Sequence, residues 1–360
     1  MQSPLMRAWV EIDLDALRRN GAAMAARCAA LLPMVKADAY GLGAVAVARA
    51  LTALTPWGFG VATVDEGLEL RDAGLSERII VFTPVLASEL AALRVARLTP
   101  VLSSSDDIKA WRAVGGGPWH LTIDTGMSRA GVRWTNVASL AELLREDMPE
   151  GAYTHFHSAE LDDASRAEQE ARFERAVAAL PVRPSLLHAE NSAALARVTR
   201  SRYDIGRPGV FLYGVGSGPG TAVSPEQVAH VRARVVAIRD VCPGDSVSYD
   251  ATWRASSPRR IATLAIGYAD GYRRSLGNRG TALLGGRRAP VAGIVTMDMT
   301  MIDVTDVPCR VGDVATLMGR DGADAITTEN VAADAGVSPY ELLTGLRGRL
   351  THVVWSGAAP

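Results

Sequence analysis

The stretch Leu31-Leu32-Pro33-Met34-Val35-Lys36-Ala37-Asp38-Ala39-Tyr40-Gly41-Leu42-Gly43 decides the fold. An apolar run ends in a lysine, a short loop with two glycines follows, and Ala44 to Leu51 is a run of good helix formers. A continuous apolar run closed by glycines predicts a strand buried on both faces, as in a parallel sheet. Lys36 then marks the end of that strand, which in a β/α barrel is the rim where chemistry is done. On position alone such a lysine is ordinarily a solvated charge, so the rest of the chain must decide.

Outward from this stretch, strand-like runs recur at 31–36, 57–64, 79–84, 98–103, 119–124, 151–156, 185–189 and about 205–213. Helical patterns lie between them, as in Asp65–Arg71, Asp106–Trp111 and Asp162–Leu180, the last with Phe173, Val177 and Leu180 on one stripe. A short alternating strand around Val10–Leu14 and a helix reaching about Ala30 come first. Eight strands alternating with helices predict an α/β fold, a (β/α)8 TIM-type barrel; a doubly wound open sheet is the alternative. Beyond about 225 the pattern changes to strands at His230–Ile238, Ile261–Ile266, Thr281–Leu284, Val291–Thr296 and Met299–Val304, with one helical patch at Thr327–Leu346. Two domains are therefore expected, 1–225 and a mostly-β 226–360, joined near Thr221–Pro225, with the strand at 8–14 able to pack with the second domain.

With 360 residues, 48% hydrophobic and 21% charged, the chain has the composition of a soluble globular protein with room for two domains. A net charge of -1 gives no electrostatic footprint for nucleic acid. No apolar run approaches the ~20 residues that span a bilayer, and Met1–Glu11 lacks the apolar core of a signal peptide. Cys28, Cys242 and Cys309 are odd in number and far apart, which suits neither a disulfide framework nor a Cys-x-x-Cys metal site. A reduced, cytoplasmic protein is expected.

If the first domain is a barrel, the residues just past its strands share one mouth. They are Lys36 and Tyr40; Asp124 to Arg129; His155, His157 and Glu160; His188, Glu190, Asn191 and Ser192; and Arg207, Gly209 and Val210. Each also has a plainer reading: His188 as a packed histidine, Asp124 as a turn cap, Gly206–Gly209 as loop punctuation. A glycine at a strand–helix junction nevertheless exposes backbone N–H groups that favour phosphate.

Several segments resemble the alanine racemases, which bind pyridoxal 5'-phosphate (PLP). Val-Lys-Ala-Asp-Ala-Tyr-Gly-Leu-Gly at 35–43 is similar to their cofactor-lysine motif, and Asp-Thr-Gly-Met-Ser-Arg-Ala-Gly at 124–131 to their substrate-arginine motif. Tyr-Thr-His-Phe at 153–156, His-Ala-Glu-Asn-Ser-Ala at 188–193 and Arg-Pro-Gly-Val-Phe-Leu-Tyr-Gly at 207–214 look like their later strand ends. Val-Ser-Tyr-Asp-Ala-Thr-Trp at 247–253, Gly-Tyr-Ala-Asp-Gly at 267–271 and Thr-Met-Asp at 296–298 resemble segments of their second domain.

The resemblance implies interconversion of L- and D-alanine by two-base PLP chemistry, for cell-wall supply or alanine catabolism. It implies Lys36 as cofactor lysine and D-face base and Tyr249 as L-face base. Tyr40, His155, Ser192, Arg207, Gly209 and Val210 would hold the cofactor, and Arg129 and Met297 the substrate. Tyr268, Glu160 and Arg274 would form the gate. It also implies a homodimer with active sites shared between chains. The sequence departs from the family at Thr122, where some members carry a carbamylated lysine, so Arg129 must be oriented by another group, such as an anion. Ile294, Glu160 and Gly348 also differ from the residues frequent there. Two other activities compete: a broad-specificity amino-acid racemase, and a metal-dependent barrel hydrolase. The hydrolase's cue is His155-Phe156-His157, read as two rings on one strand face, with His188 and Asp270 to complete a site. No metal is expected on the racemase reading.

Overall fold

The computed structural model describes residues 6–357; the outermost ends of the two expected domains, 1–5 and 358–360, lie outside the described residues. Strands Gly58–Val61, Arg78–Val81, Thr99–Leu102, His120–Asp124, Gly151–Tyr153 and Leu186–His188 pair in that order, all parallel. Ala30–Leu31 pairs in parallel with Ile205–Gly206. Backbone bonds close the ring. Trp57 and Gly60 donate to Leu31 and Pro33 at 2.8 and 2.9 Å, and Asp204 and Arg207 donate to Leu187 and Glu190 at 2.9 and 3.0 Å. The result is the eight-stranded barrel, with the helical runs between its strands. Its strands are almost wholly buried, which is why they read as unbroken apolar runs.

The second region is an antiparallel sheet built around one long strand, Ala229–Val241. That strand pairs with Arg259–Leu264, Val314–Asp321 and Ala8–Asp13. Ala8–Asp13 also runs parallel to Thr351–Trp355, so this strand belongs to the second sheet and the chain passes from it into the barrel. Asp13 makes the crossing rigid: its carboxylate caps the helix Leu14–Ala25 by accepting from the Asp15 and Ala16 N–H groups at 2.9 Å. Glu11 is buried on the face the alternation assigned to polar residues, where it accepts from Trp9 Nε1 at 2.9 Å and Arg232 Nε at 3.0 Å.

Three expectations change. The eighth strand does not reach 213; it ends at Gly206, Pro208 has no N–H to continue a ladder, and Val210–Tyr213 forms a 3-10 turn at the barrel mouth. Val291–Thr296 is not a strand: only Val291 bridges, to Ile302, and Gly293 turns the chain at φ 80° with its Cα against the Val247 carbonyl. The patch at 327–346 is two helices, Thr328–Ala335 and Pro339–Thr344, divided at Gly336 with φ 68°.

Candidate active site

Lys36 opens a turn of unusual hand. Ala37, Asp38, Ala39 and Tyr40 all have positive φ, at 54°, 55°, 52° and 58°, so four consecutive non-glycine residues wind left-handed. Such a turn costs about 1–2 kcal/mol per residue, and the surroundings must hold it. The Glu66 carboxylate, at the start of helix Val64–Asp72, accepts from Ala37 N–H and Ala62 N–H, each at 2.7 Å. Asp38 accepts from Ala44 N–H at 2.7 Å, and Val35 accepts from Ala39 N–H at 2.8 Å. Tyr213 stacks on Tyr40 with centroids 4.7 Å apart and donates its hydroxyl to the Met34 carbonyl at 2.8 Å. Gly41 backs onto helix Pro339–Thr344 so closely that a Cβ there would lie 2.6 Å from the Leu343 carbonyl oxygen.

The turn delivers Lys36 into a cavity of about 230 Å³ that Thr122, Arg129, Tyr153 and His155 also line. Burial, then Arg129 and Arg207, push the lysine's pKa down, so its neutral, nucleophilic form is favoured. His155 is held at about 3 by burial and by the same three cations, so it stays neutral near pH 7. Arg207 is wholly enclosed. It donates to the Thr154 and Ala189 carbonyls at 2.8 and 3.2 Å and to His188 Nδ1 at 3.0 Å, and burial lowers it only to about 10. The cations Lys36, Arg129 and Arg207 therefore converge without a carboxylate facing them in the cavity lining beyond Asp124. That Asp124 instead builds the following turn, accepting from Gly126 and Ser128 N–H at 3.0 Å.

A second cluster lies against the turn. Ser192 Oγ accepts from Gly209 N–H at 2.8 Å and from Phe211 N–H at 3.3 Å, and Val210 begins the 3-10 turn above it. A Cβ on Gly209 would collide with the Tyr40 hydroxyl, so glycine is what brings that hydroxyl against the backbone. Hydroxyls and backbone N–H groups thus meet at one spot, a donor set suited to phosphate.

The barrel half of the expected site is therefore assembled: Lys36, Tyr40, Arg129, His155, Ser192, Arg207, Gly209 and Val210. Glu160 stands outside it, exposed, its carbonyl accepting from Arg197 Nη2 at 2.5 Å. Tyr249, Met297, Tyr268 and Arg274 lie in the second region and line no part of the Lys36 cavity. Tyr249 is 67% exposed, Met297 53% and Tyr268 41%. Arg274 lies 3.8 Å from Asp250. The His-x-His reading fails on geometry: the strand has ended at Tyr153, and while His155 lines the cavity, His157 is exposed with Nδ1 2.7 Å from Ser158 Oγ. Asp270 is also elsewhere, paired with Arg349 at 3.0 Å.

Glu66 and Tyr213 were not singled out in the sequence. Glu66 had a signal, since Thr63-x-x-Glu66 is a capping box; its reach to Ala37 had none.

The chain matches the family models "Alanine racemase, N-terminal domain" over residues 12–217 and "Alanine racemase, C-terminal domain" over 228–354. It is 41% identical to an alanine racemase of Acidiphilium cryptum, covering 96% of this chain and 98% of that one. It is 38% identical to one of Sorangium cellulosum, covering 88% and 89%. Among solved structures, the alanine racemase of D-cycloserine-producing Streptomyces lavendulae superposes with a TM-score of 0.92 at 30% identity, over 99% of this chain and 98% of that one. That of Bartonella henselae, described with covalently bound pyridoxal phosphate, gives 0.88 at 29%, over 97% and 100%. This chain belongs to the alanine racemase family.

Proposed function

We propose that this chain, as an alanine racemase, interconverts L- and D-alanine with PLP, using Lys36 on one face of the substrate and Tyr249 on the other. The family is PLP-dependent, and nothing in the comparisons favours the broad-specificity or hydrolase readings. The observation that carries the proposal is the meeting of an amine of lowered pKa with a phosphate-type donor set: Lys36 beside Arg129 and Arg207, and Tyr40, Ser192 and Gly209 behind it.

The residues fit PLP. The donor set around Gly209 would hold its phosphate, Lys36 would attach it, and Arg207 would face its ring nitrogen. Bound PLP supplies an electron-accepting ring that makes the amino-acid Cα proton acidic. The protein must then move that proton on both faces. Lys36 is equipped for one face because its enclosure disfavours the ammonium form. A phenol on the opposite face completes the exchange; its ordinary pKa of about 10 requires donors or cations beside it in the assembled site. Arg207 keeps its proton near neutrality, so it donates a hydrogen bond without transferring a proton. Arg129 and the backbone at Met297 would hold the substrate carboxylate, with Arg129 oriented by a group other than Thr122, whose hydroxyl is buried beside Tyr153.

Tyr249 reaches no Lys36 cavity within its own chain, which supports a homodimer in which each second domain covers the partner's barrel mouth. On this reading 1–225 is the cofactor unit, 226–360 supplies the second base, and Tyr268, Glu160 and Arg274 gate the entrance. A cytoplasmic location is part of the same proposal; among the described residues no helix is long and apolar enough to cross a membrane. The test is direct: incubate the purified protein and PLP with each L-amino acid and quantify the D-form by chiral chromatography. D-Alanine as the dominant product is expected; faster turnover of lysine or arginine would overturn alanine as the substrate.

A further inference from the structure

We propose that Glu150, on the closed floor of the barrel, is a positioning residue that sets Arg207 by its 3.7 Å electrostatic contact with the end of a one-way hydrogen-bond chain of two buried histidines, His120 and His188. The proposal rests on Arg207 being the group that faces the cofactor ring.

The direction of the chain follows from its ends. A guanidinium only donates, so His188 Nδ1, 3.0 Å from Arg207 Nη1, must accept. His188 is fully buried beside that cation and is held neutral, so its proton sits on Nε2. Nε2 lies 2.7 Å from His120 Nδ1, which must in turn accept. His120, also fully buried, then carries its proton on Nε2, and that atom faces Glu150 Oε2 at 3.7 Å. Among the described residues these two facing atoms have no other partner. A carboxylate only accepts, so both ends demand the same polarity. If either ring took the other tautomer, an N–H would face an N–H at Arg207 or at the histidine pair.

The surroundings reserve space for this arrangement. A Cβ on Gly151 would lie 2.6 Å from His120 Cε1 and Nδ1, so the residue after Glu150 must be bare. Glu150 Oε1 is taken by Arg78, whose guanidinium lies 4.7 Å over the Trp57 ring, leaving Oε2 for His120. Trp57 also packs against His120, with ring centroids 5.7 Å apart. His188 is stacked on Tyr153 at 5.0 Å, with Phe82 edge-on at 6.2 Å. The charged or titratable groups facing the two rings are thus Arg207, Tyr153, Glu150 and Arg78. Barrel floors ordinarily serve stability alone. Here the floor carboxylate is linked, through the two rings, to the guanidinium proposed to face the cofactor ring.

The test uses the full-length protein with PLP bound and after its removal. Nitrogen-15 NMR of labelled histidine reads the tautomers, and the pH titration of the bound cofactor's visible band reads Arg207. Wild type should show both rings protonated on Nε2. Glu150→Ala should split both rings between tautomers, shift the band's titration, and lower kcat about tenfold with KM for alanine unchanged, as loss of an outer-shell partner does. Glu150→Gln keeps an acceptor oxygen and should restore most of each. If Glu150→Ala does not fold, Gly151→Ala displaces His120 without changing any charge and should give the same mixing. Unchanged tautomers in the folded variant overturn the relay. Changed tautomers with a band that responds only to Arg207→Lys overturn its positioning role. A band that ignores Arg207→Lys as well overturns the assignment of Arg207 itself.

Discussion

The barrel mouth around Lys36 and the second-domain surface around Tyr249 both carry strained backbone, yet they are finished to different degrees. At Lys36, four left-handed residues are pinned by Glu66, Asp38 and the stacked Tyr213, and the side chains around them are enclosed. At Tyr249, Ser248, Asp250 and Ala251 have φ of 68°, 61° and 47°, and Ser248 Oγ ties the loop to the Ile294 carbonyl at 2.6 Å. There the aromatic ring stands in solvent with Met297, Met299 and Tyr268. Strain held at a buried mouth pre-arranges a site; strain that presents an exposed phenol pre-arranges a contact with another surface. On the proposed reading, one chain builds most of the active site and displays the remainder.

The largest effect should come from the finished half. Lys36→Ala should lower racemisation by at least about 10^4-fold, because it removes both the proposed attachment point and one proposed base. Borohydride reduction of the wild type should fix PLP on the peptide containing Lys36; label on another lysine would overturn the assignment. Tyr249→Ala should cost about 10^3-fold, within the range of general acid–base groups. Refolding or co-expressing the two variants then tests the comparison itself. A mixed dimer has one doubly damaged site and one with both Lys36 and Tyr249 intact. If half the dimers are mixed, about a quarter of wild-type activity should return. No recovery from confirmed mixed dimers would place both residues in one chain's site or remove Tyr249 from it.

The two halves were also unequally legible. Buried parallel strands produce unbroken apolar runs, so the places of all eight barrel strands could be read from sequence, although the first, expected over 31–36, is a strand only at Ala30–Leu31 with a further bridge at Met34, and Lys36 opens the turn after it. The family motifs then named residues in both halves. What could not be read is conformation that tertiary contacts impose. Ala37–Tyr40 contains no glycine, and no propensity predicts four left-handed residues; Glu66 and Tyr213 impose them from other elements. The overlong eighth strand and the false strand at 291–296 fail for one reason. Apolar residues at a barrel mouth or a close turn are buried without being extended, and periodicity reports burial first. The His120–His188 chain was hidden because each histidine sits in an apolar run that reads as core.

A smaller change should sharpen the contrast by damaging the cradle alone. In Gly209→Ala the new methyl meets the Tyr40 hydroxyl. Overpacking costs of about 1–3 kcal/mol translate into PLP binding weaker by about tenfold to a hundredfold. Equilibrium dialysis of PLP should show the loss, and saturating PLP should restore most activity. Unaltered affinity would move the phosphate away from Gly209.

The smallest effect concerns acid. Burial holds His155, His188 and His120 of the barrel below their ordinary pKa, and His230 in the second region. Each depressed histidine binds a proton more readily unfolded than folded. Its contribution is unfavourable where the unfolded ring is charged and the folded ring is not, so stability falls as pH drops below about 6.5. For His155 this continues until about pH 3, where the folded ring also protonates. Each such group adds a slope of about 1.4 kcal/mol per pH unit well inside that window. His155→Gln should therefore flatten the acid limb of urea-unfolding stability between pH 5 and 6 by about that amount. His230→Gln should do the same only if barrel and second domain unfold together. If they unfold separately, His155→Gln will move the barrel transition alone and His230→Gln the other, and the barrel, with three such histidines, should be the first to yield as pH falls. Equal slopes for wild type and His155→Gln would mean that His155 is already solvated in the folded protein, and the enclosed mouth would lose one of its walls.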